Sequence, residues 1–272
     1  MGLGVVIVAV AGAARASPGV EIRDAVARVI IIPEARGDVA VSVVRANPRL
    51  PLKVRREGDT VVVDGGLGWR SPNCHGAFGR PAASVWGIGD IGWGEMPQVV
   101  VRTPMIVRVG AGGAVFGSIG RGAGVDLSNS GCGDWKVADQ AGPLRVSLAG
   151  SGDVGAGTAT SVDVHVSGSA DVDMVAALGG LGVTVTGSGD IRLARVDGPM
   201  KVRVGGSGDV TVRGGAVTDL DVGVAGSGNV TFGGVARSLQ VNVAGAGDVK
   251  VAKVTGPVSK HIVGSGDVTV GP

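Results

Sequence analysis

Aspartates at a fixed spacing are first of all candidates for holding cations. Asp134, Asp153, Asp171, Asp190, Asp209, Asp248 and Asp267 each close a Gly-Ser-Gly-Asp tetrapeptide or a near variant of it. The tetrapeptides begin at Gly131, Gly150, Gly168, Gly187, Gly206, Gly226, Gly245 and Gly264, at intervals of 19, 18, 19, 19, 20, 19 and 19 residues. Stacked at ~4.8 Å, unpartnered carboxylates would repel by about 0.9 kcal/mol per pair in water, so something must offset the charge. A row of cations, as in calcium-binding β-rolls, is one solution. Those rolls use a nine-residue repeat with glycines at other offsets, and here Asn229 takes one carboxylate's place. The reading adopted is a turn-capping ladder in which each Asp accepts hydrogen bonds from nearby turn N–H groups. No metal site and no cofactor are expected.

The other reactive side chains are few. Cys74 and Cys132 are the two cysteines, and a structural disulfide between them is favoured over free thiols or a nucleophile. His75, His165 and His261 are dispersed without metal-ligand spacing. No turn matches a phosphate-binding loop or the dinucleotide fingerprint. No catalytic residue is therefore assigned. Trp69, Trp86, Trp93 and Trp135, with Phe78, gather in or near a Gly/Trp-rich stretch at 65–97. Such rings either plug the end of a repetitive fold or stack on a ligand. The capping role is favoured here, and the four tryptophans stand as candidates for partner or ligand binding.

Positioning these residues falls to strands. Apolar residues lie six, four and two positions before each turn and four and six after it. Leu181, Val183, Val185, Ile191 and Leu193 around Gly187 are an example. A period of two with polar residues between is the pattern of a strand with one buried face. The chain has 52 Gly and 12 Pro among 272 residues and no Tyr, which disfavours long helices. Near-constant repeat length favours stacking like on like over an antiparallel meander. The expected fold is all-β, a right-handed parallel β-helix with coils of about 19 residues.

Upstream the pattern weakens. Residues 27–65 read as strands that are either the first coils or a capping sheet, and 65–97 reads as a long inserted loop. Residues 1–16, with an apolar run from Leu3 to Ala14 and a small-x-small site at Ala14-Arg15-Ala16, read as a signal peptide. The expected organisation is thus a leader at 1–16 and a single β-helix domain at 17–272. Export to the periplasm or cell surface follows, with no transmembrane segment in the mature chain. With 25 Lys and Arg against 23 Asp and Glu, nothing in the charge favours nucleic acid.

The serial Gly-Ser-Gly-Asp-Val turns, flanked by Leu-x-Val-x-Val and Val-x-Val strands, resemble the head GIN domain family over residues 27–270, most closely from Gly131 to Val270. That family comprises exported bacterial proteins labelled as autotransporter adhesins. The resemblance implies a β-helical domain and supplies no catalytic residues. The expected function is a non-enzymatic binding or scaffold module, with a cell-surface adhesin as the leading form and a surface polysaccharide or another protein as partner. The oligomeric state is left open. The rival expectations are a carbohydrate-active β-helix enzyme, either polysaccharide lyase or hydrolase, and a cation-binding structural solenoid.

Overall fold

The computed structural model describes residues 18–68, 70, 72–75 and 81–272. The expected leader at 1–16, Trp69 and Phe78 lie outside the described residues. Every regular element among those described is a β-strand. From Gly124 onward each repeat supplies one strand segment before its glycine turn and one after it, and each segment pairs in parallel with its equivalents in the coils above and below. The register keeps like over like. Val146, Val164, Val183, Val202, Val222 and Val241 stand in one inward column. Val154, Val172, Ile191, Val210, Val230, Val249 and Val268 form the column facing it. All are buried. The fold is thus a parallel β-solenoid with a spacing of about 19 residues. Each inward Val contributes about 1.5–3 kcal/mol by leaving water, and no coil can bury its face without a neighbour.

The glycines of the turns are required by how closely successive coils approach. A Cβ on Gly187 would stand 1.9 Å from the carbonyl oxygen of Gly168, and one on Gly206 would stand 2.1 Å from that of Gly187. No side chain fits there.

The N-terminal region is built differently. Its strands are β1 (Gly19–Pro33), β2 (Ala40–Arg45), β3 (Lys53–Glu57), β4 (Thr60–Asp64), β5 (Asn73–His75), β6 (Ala82–Val85), β7 (Gly89–Gly92), β8 (Gln98–Thr103) and β9 (Ile106–Ile119). β1 pairs in parallel with β9 on one edge and with β4 and β8 on the other. The first strand among the described residues is thus an interior coil, threaded between segments some 40 to 90 residues further along the chain. Beyond β4 and β8, β3 and β2 add antiparallel to them. Residues 27–65 therefore supply both coils and a terminal capping sheet.

Salt bridges tie this cap to the coils. Arg55 of β3 pairs with Asp64 of β4 at 2.8 Å, and Arg23 of β1 reaches Glu57 of β3. The stretch at 65–97 is not simply a loop. It contains an antiparallel sheet of β5, β6 and β7, whose Ala83, Val85 and Ile91 pack with Leu50, Leu67 and Met96. This cluster rests on Val26, Ala114 and Phe116, residues of β1 and β9 that project from the solenoid's flank.

Candidate functional site

The described aspartates of the ladder hydrogen-bond from coil to coil, where the sequence pointed to N–H groups of their own turns. The N–H of each rung donates to the carboxylate one coil below: Asp153 to Asp134 Oδ1 (3.1 Å), Asp171 to Asp153 (2.8 Å), Asp190 to Asp171 (2.8 Å) and Asp209 to Asp190 (2.9 Å). Asn229 keeps the pattern, donating to Asp209 and accepting from Asp248 through Oδ1, and the Asp267 N–H then donates to Asp248. Only an acceptor is needed at this position, which is why an amide replaces a carboxylate without disturbing the stack. Arg192 bridges Asp171 at 3.0 Å and Asp190 at 2.6 Å, and the contact raises its own pKa. Burial lifts the Asp153 carboxyl above the usual range although its side chain reaches the surface. The Asp171 N–H works against that lift, while Asp134, Asp171 and Asp173 add to it. No group of three or more His, Cys, Asp or Glu side chains is arranged to hold a metal ion among the described residues.

Cys74 and Cys132 form a disulfide, with Cα atoms 5.7 Å apart. Cys132 belongs to the first glycine turn of the series, and Asn129 holds that turn from within. Its Nδ2 donates to the Gly133 carbonyl (2.9 Å) and its Oδ1 accepts from the Gly131 N–H (3.1 Å). The bond therefore fastens β5, and the insert with it, to the side of the stack.

The three described tryptophans occupy different surroundings. Trp135 is 1% exposed and belongs to the core, so its ring is not presented to a partner. The space it occupies comes from Gly117 in the coil below, where a Cβ would lie 2.3 Å from the indole. Trp86, 69% exposed, sits at the tip of the β6–β7 hairpin. Trp93, 38% exposed, meets Phe116 edge-on with centroids 5.8 Å apart, and the Arg28 guanidinium lies 5.0 Å from its ring centroid. The insert that carries Trp86 and Trp93 covers the flank of coils that have neighbours on both sides, so these rings do not plug an end. The cap is made by β2 and β3 instead.

Between insert and coils lies a groove of about 760 Å³, lined by Trp93, Arg28, Gln98, Phe116, His75 and Lys136 among others. Arg28 Nη2 donates to Gln98 Oε1 at 3.4 Å, which spreads the two side chains along the wall. Asp134 is the one carboxylate among the described lining residues, and its Oδ1 is occupied by the Asp153 N–H. The wall thus offers an aromatic face, cationic and amide donors and few acceptors. Arg28, Gln98, Phe116 and Lys136 are outward positions of four separate strands. Only their polar or aromatic character at an outward position of the alternation marked them in the sequence.

Among curated proteins none matches the chain. Among solved structures it is similar to a "putative lipid binding protein" from Parabacteroides distasonis ATCC 8503, at 14% identity over 93% of this chain and 92% of that one, with a TM-score of 0.45. Residues 92–216 and 182–272 match the family described as "putative auto-transporter adhesin, head GIN domain". Those matches span more than half of the chain and coincide with the coils and their glycine turns, so the protein is a member of the head GIN domain family.

Proposed function

We propose that the protein is an exported, non-enzymatic binding module of the adhesin kind, and that the groove between insert and solenoid is where it meets its ligand. The observation that carries this reading is the Trp93 ring, partly exposed, with Arg28 over it and Phe116 at its edge, held in place by a disulfide-fastened insert. A rigid aromatic with neighbouring donors suits a saccharide or protein partner at low entropic cost. The acids support the non-enzymatic part. They serve as hydrogen-bond acceptors between coils, each holding the N–H of the rung above. Export agrees with the disulfide, and β1 begins at Gly19, shortly after the expected cleavage point. In this reading residues 17–272 act as one unit, with the insert as an outgrowth of the solenoid.

Beads coated with the purified protein, mixed with bacterial cells and with separated envelope polysaccharide and protein fractions, test the proposal. Trp93→Ala is expected to weaken adherence by about tenfold with the circular dichroism of the β-fold unchanged. Adherence untouched by that substitution would remove the groove from the binding reading.

A further inference from the structure

We infer that Lys260 ends the stack: it closes the C-terminal face of the solenoid and keeps that face from pairing with a second copy of this chain. The two ends are finished differently. At the N-terminal end β2 and β3 add antiparallel to β8 and β4. At the other end the strand Val258–Gly264 pairs in parallel with residues 239–245 below it, and no strand lies above it among the described residues. All seven residues of that strand are exposed. Val258 and Ile262 stand over the buried Leu239 and Val243, yet are themselves 44% and 40% exposed. A long edge with apolar side chains and one side of its backbone unpaired is a template for further pairing.

Lys260 interrupts that template near its middle. In register it stands on Val241, at the top of the inward column Val146, Val164, Val183, Val202, Val222 and Val241. Six valines are thus succeeded by a lysine at the one level where the core meets water. Its Nζ donates to the Val268 carbonyl at 2.7 Å. Val268 heads the facing column, so the side chain spans the mouth of the core, methylenes over the apolar interior and ammonium tied at the far rim. A strand laid on this face would take the ammonium out of water at an inward position, where a column of valines offers nothing to offset the lost hydration. Pairing between two copies meets a second obstacle. A two-fold contact about the middle of Val258–Gly264 would set two ammonium groups over one core.

Sedimentation velocity of the full chain over a range of concentrations tests the inference. Lys260→Val continues the column with the residue that fills the six places below it, and Lys260→Met keeps the stem while losing only the charge. Both are expected to self-associate at least tenfold more tightly than the unchanged protein, with the circular dichroism of the β-fold retained. His261→Val adds the same apolar side chain at the next position, outward and level with Asn242, and is expected to sediment like the unchanged protein. Adding Ile262→Lys to Lys260→Val returns a charge to the same face and is expected to reverse the association, which general misfolding would not allow. Two outcomes would overturn the inference: Lys260→Val and Lys260→Met that associate no more than the unchanged protein, or a His261→Val protein that associates as strongly as they do. Association of Lys260→Val that survives Ile262→Lys would equally overturn it, because the contact would then lie elsewhere.

Discussion

The two halves of this solenoid solve the same packing problem in opposite ways. From Gly131 onward every coil repeats its neighbour, with glycine on glycine, valine on valine and aspartate on the next aspartate's N–H. Before Gly131 the coils depart from this uniformity, although Val107 still stacks on Val125. A threaded first strand, an antiparallel cap, a three-stranded insert and a disulfide replace the uniform contacts. The repeated half is a shaft whose side chains are mostly committed to one another. The irregular half carries the enclosed, aromatic-lined groove. Departing from the repeat is what places Arg28, Gln98 and Phe116 side by side along it.

Three changes break or sharpen this contrast. The largest effect is expected for Gly187→Ala, whose new methyl would stand 1.9 Å from the Gly168 carbonyl oxygen. Destabilisation of about 4 kcal/mol or more should follow in denaturant titrations, spread through the adjoining coils. Gly155→Ala, with open space around it, serves as the silent control. An equal response from both would refute the close-approach argument. Next comes the paired Cys74→Ser and Cys132→Ser change, expected to cost about 3 kcal/mol. Here hydrogen exchange should rise in residues 73–92 and remain slow in the repeats. Uniform loss of protection would mean that the insert supports the whole shaft.

The smallest effect concerns Asp153. Its carboxyl titrates above the usual value in the folded chain, chiefly through burial, so the native state binds the proton more tightly than the unfolded one. Its contribution to stability is present at low pH and falls as pH rises from about 3.8 through the raised folded value. Asp153→Asn keeps the acceptor for the Asp171 N–H, as Asn229 does for Asp248. It should raise Tm slightly near neutral pH, with the gain vanishing in acid. A variant that melts lower at neutral pH would show that the charge itself is wanted.

The shaft was legible in the sequence because its contacts are a fixed 19 or so residues apart. The period announced the coils, alternation named the inward residues, and turn chemistry assigned the aspartates. Turn chemistry pointed each Asp to a nearby N–H of its own turn, whereas the donor is the Asp N–H of the rung directly above, a contact that no local turn rule contains. The irregular half was opaque for the complementary reason. Pairing of Arg28 with Gln98 and Phe116 has no period to reveal it. Trp135 looked available because its burial depends on Gly117, one coil below and outside the regular turn series. The Cys74–Cys132 bond was foreseeable from compartment and count, and so was its pinning of the 65–97 stretch to the stack; that this stretch folds as a small sheet was not.

The threading of β1 also bears on how the polypeptide reaches its final form. The strand that emerges first has no partner until residues 60–64, 98–103 and 106–119 have followed it. Each repeat, by contrast, finds its neighbour about 19 residues away. Because nearby segments meet sooner than distant ones, assembly should nucleate among the repeats and close last around β1. In pulse-labelled refolding the amides of Val183 and Val202 would then gain protection before those of Val20 and Ile31.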